Sequence, residues 1–222
     1  MKLTKFAIAL VAVLALSALV ASAASANQLT SPGNNSVSLT AIDTGNFVYS
    51  VDGQNVTCTE SHYATGAMAV PANAITMNAV YTGCTSFGFA GSTVNMGNCH
   101  YGFTTPEKIN TDEYTSKLSI ICKDTKNSAS NTININSSVF GSECSISIGE
   151  TGNEALAHVI IHNTTGNVPK DLTFTTTVTG IRIVKNKDNG LCPLSGTGTV
   201  NNGTFNGSLT VKDINGKDIL VE

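Results

Sequence analysis

The sequence predicts an all-β chain: a single antiparallel β-sandwich or Greek-key barrel, stapled by three disulfides and preceded by a signal peptide. Three observations carry this expectation. Apolar residues recur with period two in segment after segment, the spacing of a strand with one buried face. Turn-forming pairs punctuate these segments, above all Asp52-Gly53 and a series of Asn-Gly pairs towards the C-terminus. Six cysteines, an even number, follow an N-terminal segment built for export.

The export segment comes first. Lys2 and Lys5 precede an apolar run from Phe6 to Val20, broken by Ser17, and two small-residue exits follow, Ala21-Ser22-Ala23 and Ala24-Ser25-Ala26. A basic start, an apolar middle and an A-x-A exit describe a secretory signal with cleavage between Ala26 and Asn27. The run is short for the ~20 apolar residues of a membrane span, and no second segment is long enough. No cysteine follows it as a lipid anchor would require. Removing 26 of the 222 residues leaves 196, so residues 27–222 are expected to form one secreted β domain with no transmembrane anchor.

Composition narrows the partners. The formal charge of −3 becomes −5 once Lys2 and Lys5 leave, and Arg182 is the sole arginine. Such a chain lacks the basic footprint of a nucleic-acid binder and the polybasic patch of an anionic-membrane binder. Charged residues make up 12%, about half the usual share, and Thr, Ser, Asn and Gly take the polar positions, a mix that favours strands and turns over helices.

Along the chain, Phe47, Tyr49 and Val51 alternate with polar neighbours, Asp52-Gly53 marks a tight turn, and Val56 and Cys58 resume the alternation: a hairpin. Ile75, Met77, Ala79 and Tyr81 predict a second strand region, Leu118, Ile120 and Cys122 a third. Ile133 and Ile135 give a shorter strand, and Cys144, Ile146 and Ile148 another. A single helical turn fits around Glu154 to Ala157. Leu172, Phe174, Thr176 and Val178 hold even positions, but Ile181 and Ile183 hold odd ones; a phase flip at Gly180 is the mark of a β-bulge. Asn189-Gly190, Asn202-Gly203, Asn206-Gly207 and Asn215-Gly216 read as turns of a meander. Leu209 to Ile214 and Lys217 to Val221 are expected to form a terminal hairpin.

The cysteines are Cys58, Cys84, Cys99, Cys122, Cys144 and Cys192. No two are closer than 15 residues and no C-x-x-C occurs, which disfavours zinc and thiol-redox chemistry. Most share a strand face with apolar residues, as inward-facing bridges do. Fifteen pairings are possible in principle. Local strand order suggests Cys84–Cys99 and Cys122–Cys144, leaving Cys58–Cys192.

Candidate chemistry is thin. His158 and His162 have i,i+4 spacing, but the intervening Val-Ile-Ile favours a strand, which would hold the rings about 13 Å apart. No G-x-S-x-G elbow accompanies the many serines. Asp112, Glu113, Glu143, Glu150, Glu154, Asp171 and Asp188 show no spacing diagnostic of a glycosidase pair. Asp213 to Asp218 resembles a calcium loop only in part, because its terminal glutamate is absent. Tyr63, Tyr81, Tyr101 and Tyr114 are candidate sugar-stacking rings, with half-burial on the sheet as the plainer reading. Thr104 to Asp112, with Pro106, is the one candidate for a rigid exposed loop. Six N-x-[ST] sequons occur, at Asn34, Asn55, Asn136, Asn163, Asn202 and Asn206. No catalytic residue, metal or cofactor is assigned.

Several segments together carry a resemblance. They are Gly45-Asn46-Phe47 before Gly53-x-x-Val56-x-Cys58, Thr82-Gly83-Cys84-x-x-Phe87-Gly88, Gly97-x-Cys99-x-Tyr101-x-Phe103, and Leu191-Cys192-Pro193 with Asn202 to Ser208. The chain resembles a group of small secreted actinobacterial-type proteins of no established function. The resemblance speaks to fold and carries no catalytic residue across. The expected function is therefore a secreted or envelope-associated, non-enzymatic domain that binds a surface glycan or protein or serves a structural role. The alternatives are a secreted hydrolase and an inhibitor or toxin-like effector.

Overall fold

The computed structural model describes residues 27–45, 47–122, 132–139, 142–149, 157–164, 170–187 and 191–222. The expected signal segment, Asn189-Gly190 and all of the expected helical turn except Ala157 lie outside them. Ala157 itself begins a strand.

Period-two sequence becomes period-two burial almost throughout. Strand β1 (Leu29–Thr30) is short. Strands β2 (Ser36–Asp43) and β3 (Phe47–Val51) run on in one direction, and β4 (Gln54–Ala69) returns along both. Strand β5 (Ala74–Ser86) pairs with β4. Strands β6 (Phe89–Asn95) and β7 (Cys99–Lys108) then run back along β5 as two collinear pieces. Strands β8 (Glu113–Cys122) and β9 (Thr132–Val139) return along β7 and β6. Strands β10 (Ser142–Gly149) and β11 (Ala157–Asn163) return along β9 and β8. Strand β12 (Leu172–Lys187) spans both, and β13 (Gly198–Asp213) spans β12. Finally β13 pairs with β2 and β3, for example Thr210 with Ile42 and Phe205 with Tyr49.

The result is an eight-stranded closed antiparallel barrel, each stave being one long strand or two collinear short ones. All-β is what the alternation predicts. The architecture differs from the expected sandwich or Greek key: successive staves are neighbours throughout, so the order is up-and-down. Alternation cannot distinguish these cases, because a sandwich and a barrel both bury every second residue. Closure depends on first and last staves pairing, which no local pattern encodes.

Local readings fare better where the signal is conformational. Asp52 and Gly53 have φ of 53° and 74°, the left-handed pair a two-residue hairpin needs. Gly180 has φ 76°, and the β12–β13 register slips on either side of Ile181, so the bulge stands where the phase flips. Two Asn-Gly readings are corrected. Asn202-Gly203 and Asn206-Gly207 lie inside β13, and their glycines make room instead of turns. A Cβ on Gly207 would sit 2.6 Å from the Phe47 ring, and one on Gly203 2.4 Å from Ile183 Cδ1. The expected terminal hairpin is also corrected. The chain turns at Asn215-Gly216 but leaves β13, and β14 (Leu220–Val221) pairs with β1 at the opposite end of the chain. Asp213 fixes that departure: its carboxylate accepts the N–H groups of Ser38, Asn215 and Lys217. Burial alone would raise the Asp213 pKa, but these three bonds and the Lys217 charge outweigh it and hold the group below its usual value.

All six cysteines are paired, with partners other than those expected. The bridges are Cys58–Cys84, Cys99–Cys122 and Cys144–Cys192. The expected Cys84–Cys99, Cys122–Cys144 and Cys58–Cys192 do not form. Cys58 stands directly opposite Cys84 on β4 and β5, as Cys99 does opposite Cys122 on β7 and β8. The register of paired staves, rather than nearness in sequence, selects the partner.

Inward positions fill the barrel. Ile133, Ile135, Ile146, Ile148 and Ile183 pack one part of the core, and Phe47, Tyr49, Tyr63, Tyr81, Tyr101 and Phe205 another. Outward positions are largely hydroxyl or amide side chains: Thr175, Thr177 and Thr179 stand in a row on β12. A membrane-spanning barrel needs the reverse, an apolar band outside. No helix among the described residues is long and apolar enough to cross a membrane.

Candidate functional site

The barrel axis is a chemical centre of a kind, but a sealed one. Tyr49, Tyr63, Tyr81 and Tyr101 point inward from β3, β4, β5 and β7, each at most 7% exposed. Their hydroxyls meet. Tyr81 contacts Tyr49 at 3.1 Å, Tyr63 at 3.0 Å and Tyr101 at 2.9 Å, and Tyr49 also bonds Tyr101. Four hydroxyl hydrogens thus serve four contacts, so the network satisfies itself. Burial, reinforced by neighbouring tyrosines, pushes Tyr49, Tyr63 and Tyr81 well above the usual phenol range. Burial also raises Tyr101, though hydrogen bonds from Tyr49 and Tyr81 offset part of the effect. The remaining interior voids hold about 20 and 10 Å³, room for a water at most. A ligand inside a barrel needs several hundred Å³. The expectation that tyrosines might stack on a sugar therefore fails for these three candidates, Tyr63, Tyr81 and Tyr101, whose faces are spent on Phe47, Phe205 and one another.

One barrel end is closed by charge. Ile181, Ile183 and Lys185 share the inward parity of β12, and Lys185 is only 3% exposed. Its Nζ lies 2.5 Å from Asp52 Oδ2, 3.2 Å from Ser195 Oγ and 3.5 Å from the Ser195 carbonyl. Ser195 Oγ donates to Asp52 at 2.6 Å, and Asn202 donates to the other carboxylate oxygen at 3.0 Å. Hydrogen bonds from Lys185, Ser195 and Asn202 hold the Asp52 carboxyl far below its usual value. A serine beside a lysine could suggest a nucleophile and its base. Here Nζ faces three acceptors and spends its hydrogens on them, which leaves no lone pair to take a proton from Ser195. The arrangement is a lock between the β3–β4 turn, β12 and the segment after Cys192. Its sequence signal was legible: a lysine on the apolar parity of a strand needs a buried partner.

The opposite end is closed by backbone. Gln28 and Glu222 exchange N–H···O bonds, Leu29 does the same with Ala72, and Asn163 holds Val221 through both its N–H and its carbonyl at 2.9 Å. Beside this cap a cleft of about 440 Å³ opens, walled by Lys108, Tyr114, Asn163, Lys170, Val221 and Glu222, with Thr111 and Asp112 at its rim. Tyr114, the fourth candidate ring, is 3% exposed and faces inward from the first turn of β8. Its hydroxyl has no hydrogen-bond partner among the described residues. Lys108 Nζ lies 5.9 Å over its ring. The ammonium groups of Lys108 and Lys170 and the carboxylates of Asp112 and Glu222 form no ion pair among the described residues. This is the candidate site.

The other sequence candidates are dispersed. His162 is outward on β11, 4.0 Å from Glu113, which fits the strand reading of the His158–His162 stretch; the His158 side chain lies outside the described residues. Asp171 faces Lys212 at 3.5 Å. Glu150, Glu154 and Asp188, and the side chain of Glu143, lie outside the described residues. No three metal-ligating side chains converge among the described residues. The expected loop from Thr104 to Asp112 is corrected: β7 continues to Lys108, Pro106 is buried, and the turn is 109–112. No family model, curated protein or solved structure matches the chain.

Proposed function

We propose that this chain is an exported, non-enzymatic β-barrel domain that binds a partner on its outside, at the cleft beside its backbone-closed end. The single observation that carries this is the contrast in space. The interior is filled to voids of about 20 Å³ or less, whereas the cleft offers about 440 Å³ with unspent polar groups. Export is supported by the Lys2-to-Ala26 pattern and by three disulfides, which form and persist in oxidising compartments. The resemblance to small secreted actinobacterial-type proteins belongs to the same reading. A surface glycan or protein is the partner class proposed.

The test is a binding screen of the purified mature chain against glycan arrays, cell-envelope material and extracellular protein extracts. Retention that a substitution in the cleft abolishes is the expected result. Absence of any partner, together with turnover of a hydrolase substrate panel, would overturn the reading in favour of an enzyme. Amino-terminal sequencing of chain recovered from culture medium should begin at Asn27.

A further inference from the structure

We infer that the cleft takes a neutral saccharide of one or two rings, an inference that rests on the reading of the chain as a binding domain. The argument starts from what the cleft has left to offer. Asn163 is consumed by Val221, and Thr164 Oγ1 is consumed by Asp171, whose carbonyl it donates to and whose N–H it accepts from. The unspent groups are two ammoniums, Lys108 and Lys170, two carboxylates, Asp112 and Glu222, and the Tyr114 hydroxyl. Their formal charges cancel, so the cleft has no net attraction for an ion of either sign. It needs a ligand that donates and accepts within a few ångströms, which neighbouring hydroxyls on a sugar ring do: one donates to a carboxylate while the next accepts from an ammonium.

Tyr114 decides between an incidental dent and a site. A tyrosine 97% buried ordinarily finds a partner for its hydroxyl. The other four tyrosines do so, whereas Tyr114 sits in the cleft wall with none among the described residues. A ligand hydroxyl would supply that partner. Leu220 and Val221 add apolar wall against which the C–H face of a ring packs. The volume falls in the range of small-molecule sites and suits a disaccharide.

The experiment titrates the isotope-labelled mature chain with maltose, cellobiose and N,N′-diacetylchitobiose, reading backbone amide shifts, with glutamate as a zwitterionic control. Saturable shifts from at least one neutral sugar are expected, confined to residues 108–114, 163–164, 170 and 218–222. The affinity should hold from low to high salt, because no charge is exchanged. Tyr114→Phe keeps the ring and should weaken binding about tenfold by removing one hydrogen bond. Lys170→Gln, an exposed position with no folding role for its side chain, should weaken it by a few-fold and serves if the first variant melts early. No shift with any sugar, unaltered binding in both variants, or salt-sensitive binding of glutamate alone would overturn the inference. A partner found in the screen above that binds Tyr114→Phe as well as the native chain would remove this inference and leave the binding-domain reading standing.

Discussion

The two ends of this barrel are closed by different means, and the difference locates the site. At one end an inward lysine meets Asp52, Ser195 and Asn202, and the Cys144–Cys192 bridge ties the segment before Ser195 to β10. Side chains there spend all their polar capacity on one another. At the other end the chain's first and last strands pair through backbone, with Asn163 as a clasp on Val221. Backbone closure consumes main-chain groups and leaves side chains at the margin unspent. An end sealed by side chains has nothing left to bind with; an end sealed by backbone does.

Breaking the core that both ends share should have the largest effect. The four central tyrosines have raised pKa values, so the folded barrel retains protons that the unfolded chain loses near pH 10. The stabilisation is present in full below pH 10 and is lost as pH climbs towards the folded values. Tyrosinate absorbance and loss of β-sheet dichroism should therefore rise together in one alkaline transition. Tyrosinate formation well ahead of the dichroism change would contradict a sealed network.

The charged end can be opened alone. Replacing Cys144 and Cys192 by serine removes a cross-link spanning 48 residues, at a cost of about 4 kcal/mol by the chain-entropy estimate, seen as a lower denaturant midpoint. Asp52→Asn keeps a residue tolerant of positive φ but leaves Lys185 without its counter-charge. A loss of about 3 kcal/mol is expected, with faster amide exchange in β12 beyond Ile183 and none near Val221. Equal protection at both ends would show that the lock is not local. At the backbone-closed end, Asn163→Ala removes two bonds to Val221 and should cost about 2 kcal/mol, with exchange quickened at Leu29 and Val221. The smallest effect has the opposite sign. Thr176 Oγ1 is buried beside the larger interior void with no partner, so Thr176→Val should stabilise by about 1 kcal/mol in chemical denaturation.

Much of the candidate site was written in residues that carry no motif. Tyr114 reads from the sequence as one strand tyrosine among several. Only its place at the mouth of the barrel, where inward positions run out of neighbours, leaves its hydroxyl free. Lys108 and Lys170 are ordinary surface lysines until the 109–112 turn and the C-terminal strand bring them to one cleft. The charged lock was closer to legible, since Lys185 continues the apolar parity of Ile181 and Ile183. Its partner was not, because Asp52 belongs to a turn far away in the chain.

The sequence by itself determined where the strands lie, which side of each is buried, that the cysteines face inward, and that β12 carries a bulge at Gly180. These are properties of consecutive residues: a pleated strand alternates its faces whatever it pairs with, and a left-handed glycine is a local fact. Tertiary structure alone decided the barrel closure, the three disulfide partners, the capture of the C-terminal strand by β1 in place of a hairpin, and the cleft beside it. Each depends on register between distant segments. Two staves with the same alternation can pair in many registers, and the one that closes the ring is selected by how large rings such as Phe47 meet small residues such as Gly207 across the interior.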